Sequence, residues 1–429
     1  MAALYVAYTY CEDKGYIKLA EDFVKEHIEI VETELEKLEK EIEKIEKELE
    51  DLELEEIDVE EIIAKLEAEY GFDIEIEIDT TEAEVIIAKL EAYVDGVKEE
   101  IEKAVEEIGE EFMGVLRRAA ENIEAFHKRQ VRNSFIINEK NGVVTGQKVI
   151  PLARVGLYVP GGTAAYPSSV LMNAIPAKLA GVGEIVMVSP ASGGKIAPAI
   201  LAAAHVAGVD RVFALGGAQA VAALAYGTQS VPMVDKIVGP GNAFVAEAKR
   251  QVYGQVAIDM IAGPSEILVI ADKNSNPSYV AADMLSQAEH DKNSPAVLIT
   301  DSIELAKQVS QELERMIPLL PRAEIARASV DNNGKIIVTD DLIEAIELSN
   351  DIAPEHLELC LDNPFDVLDR VKNAGSVFMG RYCPEALGDY FAGPNHTLPT
   401  SGTARFSSPL SVDDFVKKTQ FTYYTEGAL

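Results

Sequence analysis

From Ile28 onward the apolar residues fall at Ile28, Val31, Leu35, Leu38, Ile42, Ile45, Leu49 and Leu52, with Glu and Lys between them. Steps of three and four in alternation place these side chains on one helix face, the seam of a coiled coil. The stripe reads either as a dimerising arm or as a long solvated helix packed on its own body. The heptapeptide IIAKLEA occurs at 62–68 and again at 86–92, and between the copies DIEIEID (73–79) alternates like a strand. VLRRAAENIEAFHKRQ (115–130) predicts one more helix.

Beyond that helix the period changes. VGLYVP (155–160), EIVMVSP (184–190), RVFALGG (211–217) and KIVGPGN (236–242) are short apolar runs closed by Gly or Pro, each followed by a helical pattern. EILVIAD (266–272) opens a second such series, which continues through a helix ending in LSQAEHD (285–291), the strands AVLIT (296–300) and KIIVT (335–339), and a helix over 341–350. Strands alternating with helices of about 10–15 residues mean βαβ units and a parallel sheet. The expected fold is α/β: two doubly wound, incomplete Rossmann-like parallel sheets preceded by a charged helical segment. The expected divisions are an acidic helical segment at 1–130, a first α/β domain at 131–265 and a second at 266–385. A closing loop and helix segment, with a shortened tail, is expected at 386–429.

In such sheets ligands bind at the carboxyl ends of the strands. GGTAAYP, GGAQ and GPGN all fall on that edge, although no GxGxxG is present. Glycines there let a backbone approach a phosphate at a helix N-terminus, or simply make tight turns; the pattern alone leaves both open.

Charge sharpens the division. The formal net charge is −35, but residues 1–110 hold 38 acids against 11 bases, a balance of −27, and the remainder carries only −8. No basic nucleic-acid footprint exists. Cys11, Cys360 and Cys383 are too few and too scattered for a disulfide framework, which points to a reducing compartment. The start lacks a basic n-region and no run of about 18 apolar residues occurs, so a cytoplasmic protein without a membrane span is expected.

Six histidines remain to be placed. His27 reads as exposed on the acidic helix, His127 as one of several polar residues beside Lys128 and Arg129, and His205 in AAAHVAG as a core or near-core residue. In LSQAEHD, Gln287 and His290 share one helix face at a spacing of three; a solvated helix end and a metal site, with amide oxygen and imidazole as donors, are both open. Glu355 and His356 in IAPEHLEL stand at a strand's mouth, where an acid beside a His can form a general-base pair. Asp389 and His396 sit seven apart in the Gly- and Pro-rich GDYFAGPNH.

Taken together, these segments resemble one family. From about 115 to 425 the chain is similar to histidinol dehydrogenases through LYVPGGTAAYPSSVLMNAIPAKLAGV, GGAQAVAALAYGT, VDKIVGPGNAFVAEAKRQV, DMIAGPSEILVIAD, DMLSQAEHD, SNDIAPEHLEL and PEALGDYFAGPNHTLPTSGTARFSSPLSVDDFVKKT. The resemblance implies oxidation of L-histidinol to L-histidine through a bound aldehyde, the last step of histidine biosynthesis, with two NAD used in turn, one Zn2+ and a homodimer. It implies Gln287, His290 and Asp389 as zinc ligands, and Glu355 and His356 as the acid–base pair. It also implies substrate contacts at Ser265, Gln287, His290, His356, Asp389 and His396. Tyr158, Gln219 and Asn242 match the family's NAD contacts. The family's tail adds a substrate Glu and a zinc His, whereas here no His follows His396; the expectation is a three-ligand site and a weakened dimer. Two other readings stay open at this level: a paralogue acting on another amino alcohol, and an inactive scaffold assembled through the heptads.

Overall fold

The computed structural model describes residues 80–161, 165–192 and 195–429, with side chains from residue 100 onward. The heptads, the first IIAKLEA copy, DIEIEID and His27 lie outside the described residues. The chain divides into two units, Met1–Lys89 and Leu90–Leu429. The second IIAKLEA copy lies on helix α1 (Thr80–His127), which is interrupted at Gly109, where φ is 78° and ψ 157°. A single 3₁₀ turn, Lys128–Gln130, closes it, so the helix expected over 115–130 is present. Its Met113, Leu116, Ala119 and Ile123 recur at helical spacing and are buried in the core beneath the first sheet.

The first sheet comprises β3 (Arg154–Tyr158), β4 (Glu184–Val188), β5 (Arg211–Phe213), β6 (Lys236–Val238) and β7 (Ala257–Ile258), in the order β5-β4-β3-β6-β7. All its pairings are parallel. Its crossover helices are α2 (Pro167–Ala180), α3 (Pro198–Ala207), α4 (Gly217–Tyr226) and α5 (Ala243–Val252). The second sheet comprises β8 (Ile267–Ala271), β9 (Ala296–Thr300), β10 (Lys335–Val338), β11 (His356–Cys360) and β12 (Ser376–Met379), in the order β10-β9-β8-β11-β12. Its long helices are α6 (Pro277–Ala288), α7 (Ile303–Met316), α8 (Ala323–Asn333) and α9 (Leu342–Ile352). Both sheets therefore place their strands, numbered within each, as 3-2-1-4-5, the Rossmann order without its sixth strand.

Central strands of such sheets are covered on both faces and read as unbroken apolar runs. β8 shows this directly. Ile267, Val269 and Ala271 enter one core layer, Leu268 and Ile270 the other, and all five are buried.

A third sheet is antiparallel: β1 (Phe135–Ile137), β2 (Val143–Pro151) and β13 (Val416–Tyr424) in the order β1-β2-β13. β13 runs from Val416 opposite Pro151 to Tyr424 opposite Val143, within a segment expected to be loop and helix. VKKTQFTYY is rich in β-branched and aromatic residues, but its partner lies far away in sequence and no local hairpin signal announces it. Two of the minor histidine readings also change. His127 is fully buried, with Nδ1 2.7 Å from Gln130 Oε1 and Nε2 3.4 Å from Asn395 Nδ2. His205, expected in or near the core, is exposed at the end of α3 because it faces away from the helix's buried alanines.

Candidate active site

The two sheets do not present the same edge. A cavity of about 400 Å³ is walled on one side by Pro160, Gly239, Asn242 and Asp259, which follow β3, β6 and β7 at the carboxyl edge of the first sheet. On the other side stand Ser265, Glu355 and His356, at the amino ends of β8 and β11, and Gln287 and His290, at the C-terminus of α6. The expectation of strand carboxyl ends thus holds for the first sheet only. At the second, the carboxyl edge is filled by Arg381. Its guanidinium bonds the Asp272 carboxylate at 2.7 and 2.8 Å, Asp362 at 2.8 Å, the Cys360 carbonyl at 2.8 Å and the Ser275 hydroxyl.

Glu355 and His356 are 5% and 2% exposed. They follow Ala353, a left-handed residue at φ 55° that ends α9, and strain of this kind costs about 1–3 kcal/mol. It turns the chain sharply into β11 through Pro354. Glu266 then fixes the pair: its amide donates to Glu355 Oε2 (3.0 Å) and its carboxylate accepts from the Glu355 amide (3.3 Å). The same carboxylate oxygen accepts from the amide of Ser401 (3.1 Å), the other non-glycine residue at positive φ among the described residues.

His356 Nδ1 lies 2.9 Å from the Glu266 carbonyl, which can only accept, so Nδ1 carries a proton. Nε2 lies 3.0 Å from Asp389 Oδ2. Burial alone would lower the imidazole pKa, but the Glu355 and Asp389 carboxylates outweigh it and hold the pKa up at about 10. Glu355 is raised to about 7, first by burial and against the pull of His356.

Asp389 rides on a π-helical turn, Gly388–Ala392, a local widening often found at functional sites. Gly388 is required there because a side chain would enter the Phe378 ring. Glu385, on the preceding turn and 2% exposed, lines the same cavity. His356, Glu385 and Asp389 each offer one donor atom, all within 4.8 Å of one another.

The cavity collects Ser265, Gln287, His290, Glu355, His356, Asp389, His396 and Asn242. Gln287 is 2% exposed and its Oε1 has no hydrogen-bond partner. An orphaned buried carbonyl oxygen is costly, and this one lines a cavity with His290 and Asp389. Burial lowers the pKa of His290, which keeps its imidazole neutral and its lone pair available. Amide oxygen, neutral imidazole and carboxylate are a donor set that suits a divalent cation such as zinc. His396 has its pKa lowered by burial too, and its Nε2 is shielded without a partner.

Asn242 N-caps α5, its Oδ1 accepting from the amides of Phe244 and Val245 at 3.1 Å. Tyr158 and Gln219 stand outside the cavity lining. The Tyr158 hydroxyl accepts from the Gly217 amide (3.0 Å) at the start of α4, where Gln219 is exposed. Glu266, Glu385, Lys249 and Asp259 are the charged residues in and around this cavity that sequence patterns alone did not single out. Glu266 does sit at the head of a buried strand, where an acid is unexpected.

The buried Glu355–His356 pair and a set of carbonyl, imidazole and carboxylate donors thus share one cavity, an arrangement equipped for proton transfer beside a bound cation. A profile of the histidinol dehydrogenase family matches residues 58–429. The histidinol dehydrogenase of Bacillus cereus is 60% identical over 332 residues, which cover 77% of each chain. That of Clostridium acetobutylicum is 55% identical over 337 residues, 78% of each chain. The crystal structure of histidinol dehydrogenase from Elizabethkingia anophelis matches with a TM-score of 0.74 at 37% identity, over 88% of this chain and 87% of that one. The chain belongs to the histidinol dehydrogenase family.

Proposed function

We propose that the protein oxidises L-histidinol to L-histidine, the last step of histidine biosynthesis, using zinc and two NAD in turn. The observation that carries this reading is the orphaned Gln287 oxygen beside His290 and Asp389, in the same cavity as the Glu355–His356 dyad.

Gln287, His290 and Asp389 are the residues that would hold zinc, and Tyr158, Gln219 and Asn242 those that would meet NAD. When bound, zinc would orient the substrate through its imidazole and amine, and NAD would accept the hydride. The protein's own groups supply the proton chemistry. The Glu266 carbonyl holds one proton on His356 Nδ1, and the Asp389 carboxylate holds a second on Nε2. With Asp389 engaged as a zinc ligand that second proton would be released, and Nε2 would be the atom that takes the hydroxyl proton as hydride departs. Glu355, raised to about 7, stands near the value at which a carboxylate can take a proton from water attacking the aldehyde. Ser265 and His396, both in the cavity lining, serve as substrate contacts. The aldehyde stays bound between the two oxidations, and one dyad serves both. A homodimer and a cytoplasmic location accompany this reading.

The direct test is NADH formed per L-histidinol consumed, with zinc supplied and again with a chelator. Two NADH per substrate, lost on chelation and restored by zinc, is the expected result. One NADH with free aldehyde in solution, or turnover indifferent to chelation, would sink the proposal.

A further inference from the structure

The first-sheet wall of the cavity contains a charge pair that the proposed chemistry does not use. Lys249 on α5 and Asp259 after β7 form an ion pair whose side chains are 2% and 1% exposed. Lys249 Nζ also donates to the Gly239 carbonyl (3.0 Å). Asp259 Oδ2 accepts from the Gly239 amide (2.7 Å), and Oδ1 accepts from the Met260 amide (2.6 Å). Both backbone polar groups of Gly239 are thus held by the two partners of one buried pair.

Gly239 cannot be replaced by a larger residue. Its φ is 109°, and a Cβ there would collide with the Tyr158 carbonyl. Three residues later comes Asn242, the cap of α5. On the other arm, the segment from Asp259 reaches Ser265, and the Gly263 amide is pinned by Thr400 Oγ1 at 2.7 Å. The pair therefore joins two of the three strand exits that line the first-sheet side of the cavity, those after β6 and β7. A buried ion pair is seldom the most stable filling for such a position, since packed apolar residues often do as well. What it supplies here is direction, a fixed set of bonds to both backbone polar groups of one residue.

We propose that Lys249 and Asp259 are a positioning pair for the dinucleotide: they fix the Gly239–Asn242 loop against the Asp259–Ser265 segment, and so hold the rim of the cavity in the shape that receives it. The proposal rests on the NAD reading given above. Neither charged group takes part in the reaction; both act through Gly239.

The test is K249M, compared with wild type in steady-state kinetics with zinc and L-histidinol and in direct titration with NAD alone. The expected result is a KM for NAD raised at least tenfold, kcat at saturating NAD within threefold, and an unchanged KM for L-histidinol. The Kd for NAD should rise in step with its KM. K249Q, which retains a shorter donor toward Gly239, should fall between the two and serves as the test if K249M does not fold. A variant that only melts earlier while its KM and Kd for NAD stay put would overturn the proposal, as would an equal rise in the KM for both substrates. If the wild type fails to oxidise L-histidinol yet binds NAD, the proposed function falls and the titration still decides the role of the pair. Wild type that binds no NAD would remove both.

Discussion

Glu358 offers a sharp test of how this interior is balanced. It lies on β11, 1% exposed, with Oε2 unpartnered. Facing it are Asp283 from α6, Glu385, and the neighbouring His356. Burial, reinforced by Asp283, raises its pKa to about 9, and burial raises Asp283 to about 6. Glu358 therefore holds a proton in the folded chain at neutral pH and gives it up on unfolding. A raised carboxyl pKa means that stability is greatest below the unfolded value and falls as pH climbs toward the folded one.

Replacing Glu358 by Gln keeps the shape and a donor toward Asp283 while removing the titration. One proton is worth about 1.4 kcal/mol per pH unit, so between pH 6 and 8 the slope amounts to at most about 2.7 kcal/mol. Sharing the proton with Asp283 brings it toward about half of that. At roughly 2–4 °C per kcal/mol, wild type should lose about 3 to 10 °C more than E358Q over this range. The assay is the thermal midpoint of metal-free protein by circular dichroism at pH 5, 6 and 8. The two proteins should nearly coincide at pH 5 and separate at pH 8. Parallel profiles, or a variant equally weakened at every pH, would mean that Glu358 is ionised in the fold and that the reasoning is wrong.

Two further outcomes bear on the site. Gln287→Ala should cut zinc retention about 10-fold or more while leaving the thermal midpoint of the metal-free protein unchanged or higher, because it removes an unsatisfied buried oxygen; metal analysis after gel filtration and a melting curve check both. H356N should slow the first hydride transfer by about 10²–10⁴-fold, whereas E355Q should affect the aldehyde step more, which single-turnover NADH traces from histidinol and from the aldehyde would separate.

Much of this arrangement was legible in the sequence, for reasons that differ by element. β8 announces itself because a strand buried on both faces must be apolar throughout, and the helices between strands carry their own period. Gln287 and His290 were readable as a pair from their spacing of three, although α6 ends at Ala288 and His290 sits on the turn that follows, its amide donating to the Gln287 carbonyl at 3.0 Å. Asp389 could be tied to them only through the family resemblance, since nothing in the sequence brings a loop 99 residues away to a helix end. Glu266 and Glu385 escaped notice because single acids at strand and helix ends are ordinary, and only their burial sets them apart. β13 pairs with a strand more than 250 residues earlier, a relation that local pattern cannot express. The edge of the second sheet that faces the cavity was misjudged for a related reason: whether a crevice is open depends on what fills it, and Arg381 fills it from the far side of β12.

That last feature has a consequence for how the molecule can be altered. One topology occurs twice, yet one copy offers the cavity its strand exits and the other its strand entrances. The two walls are therefore encoded by separate stretches of chain, one before Ser265 and one after it. Variation in the strand ends of either stretch can remodel one wall without rewriting the other. A chimera joined near Ser265, however, should fold well only if residues 395–424 travel with the first wall, because that segment returns to it: β13 pairs with β2, and Thr400 pins Gly263.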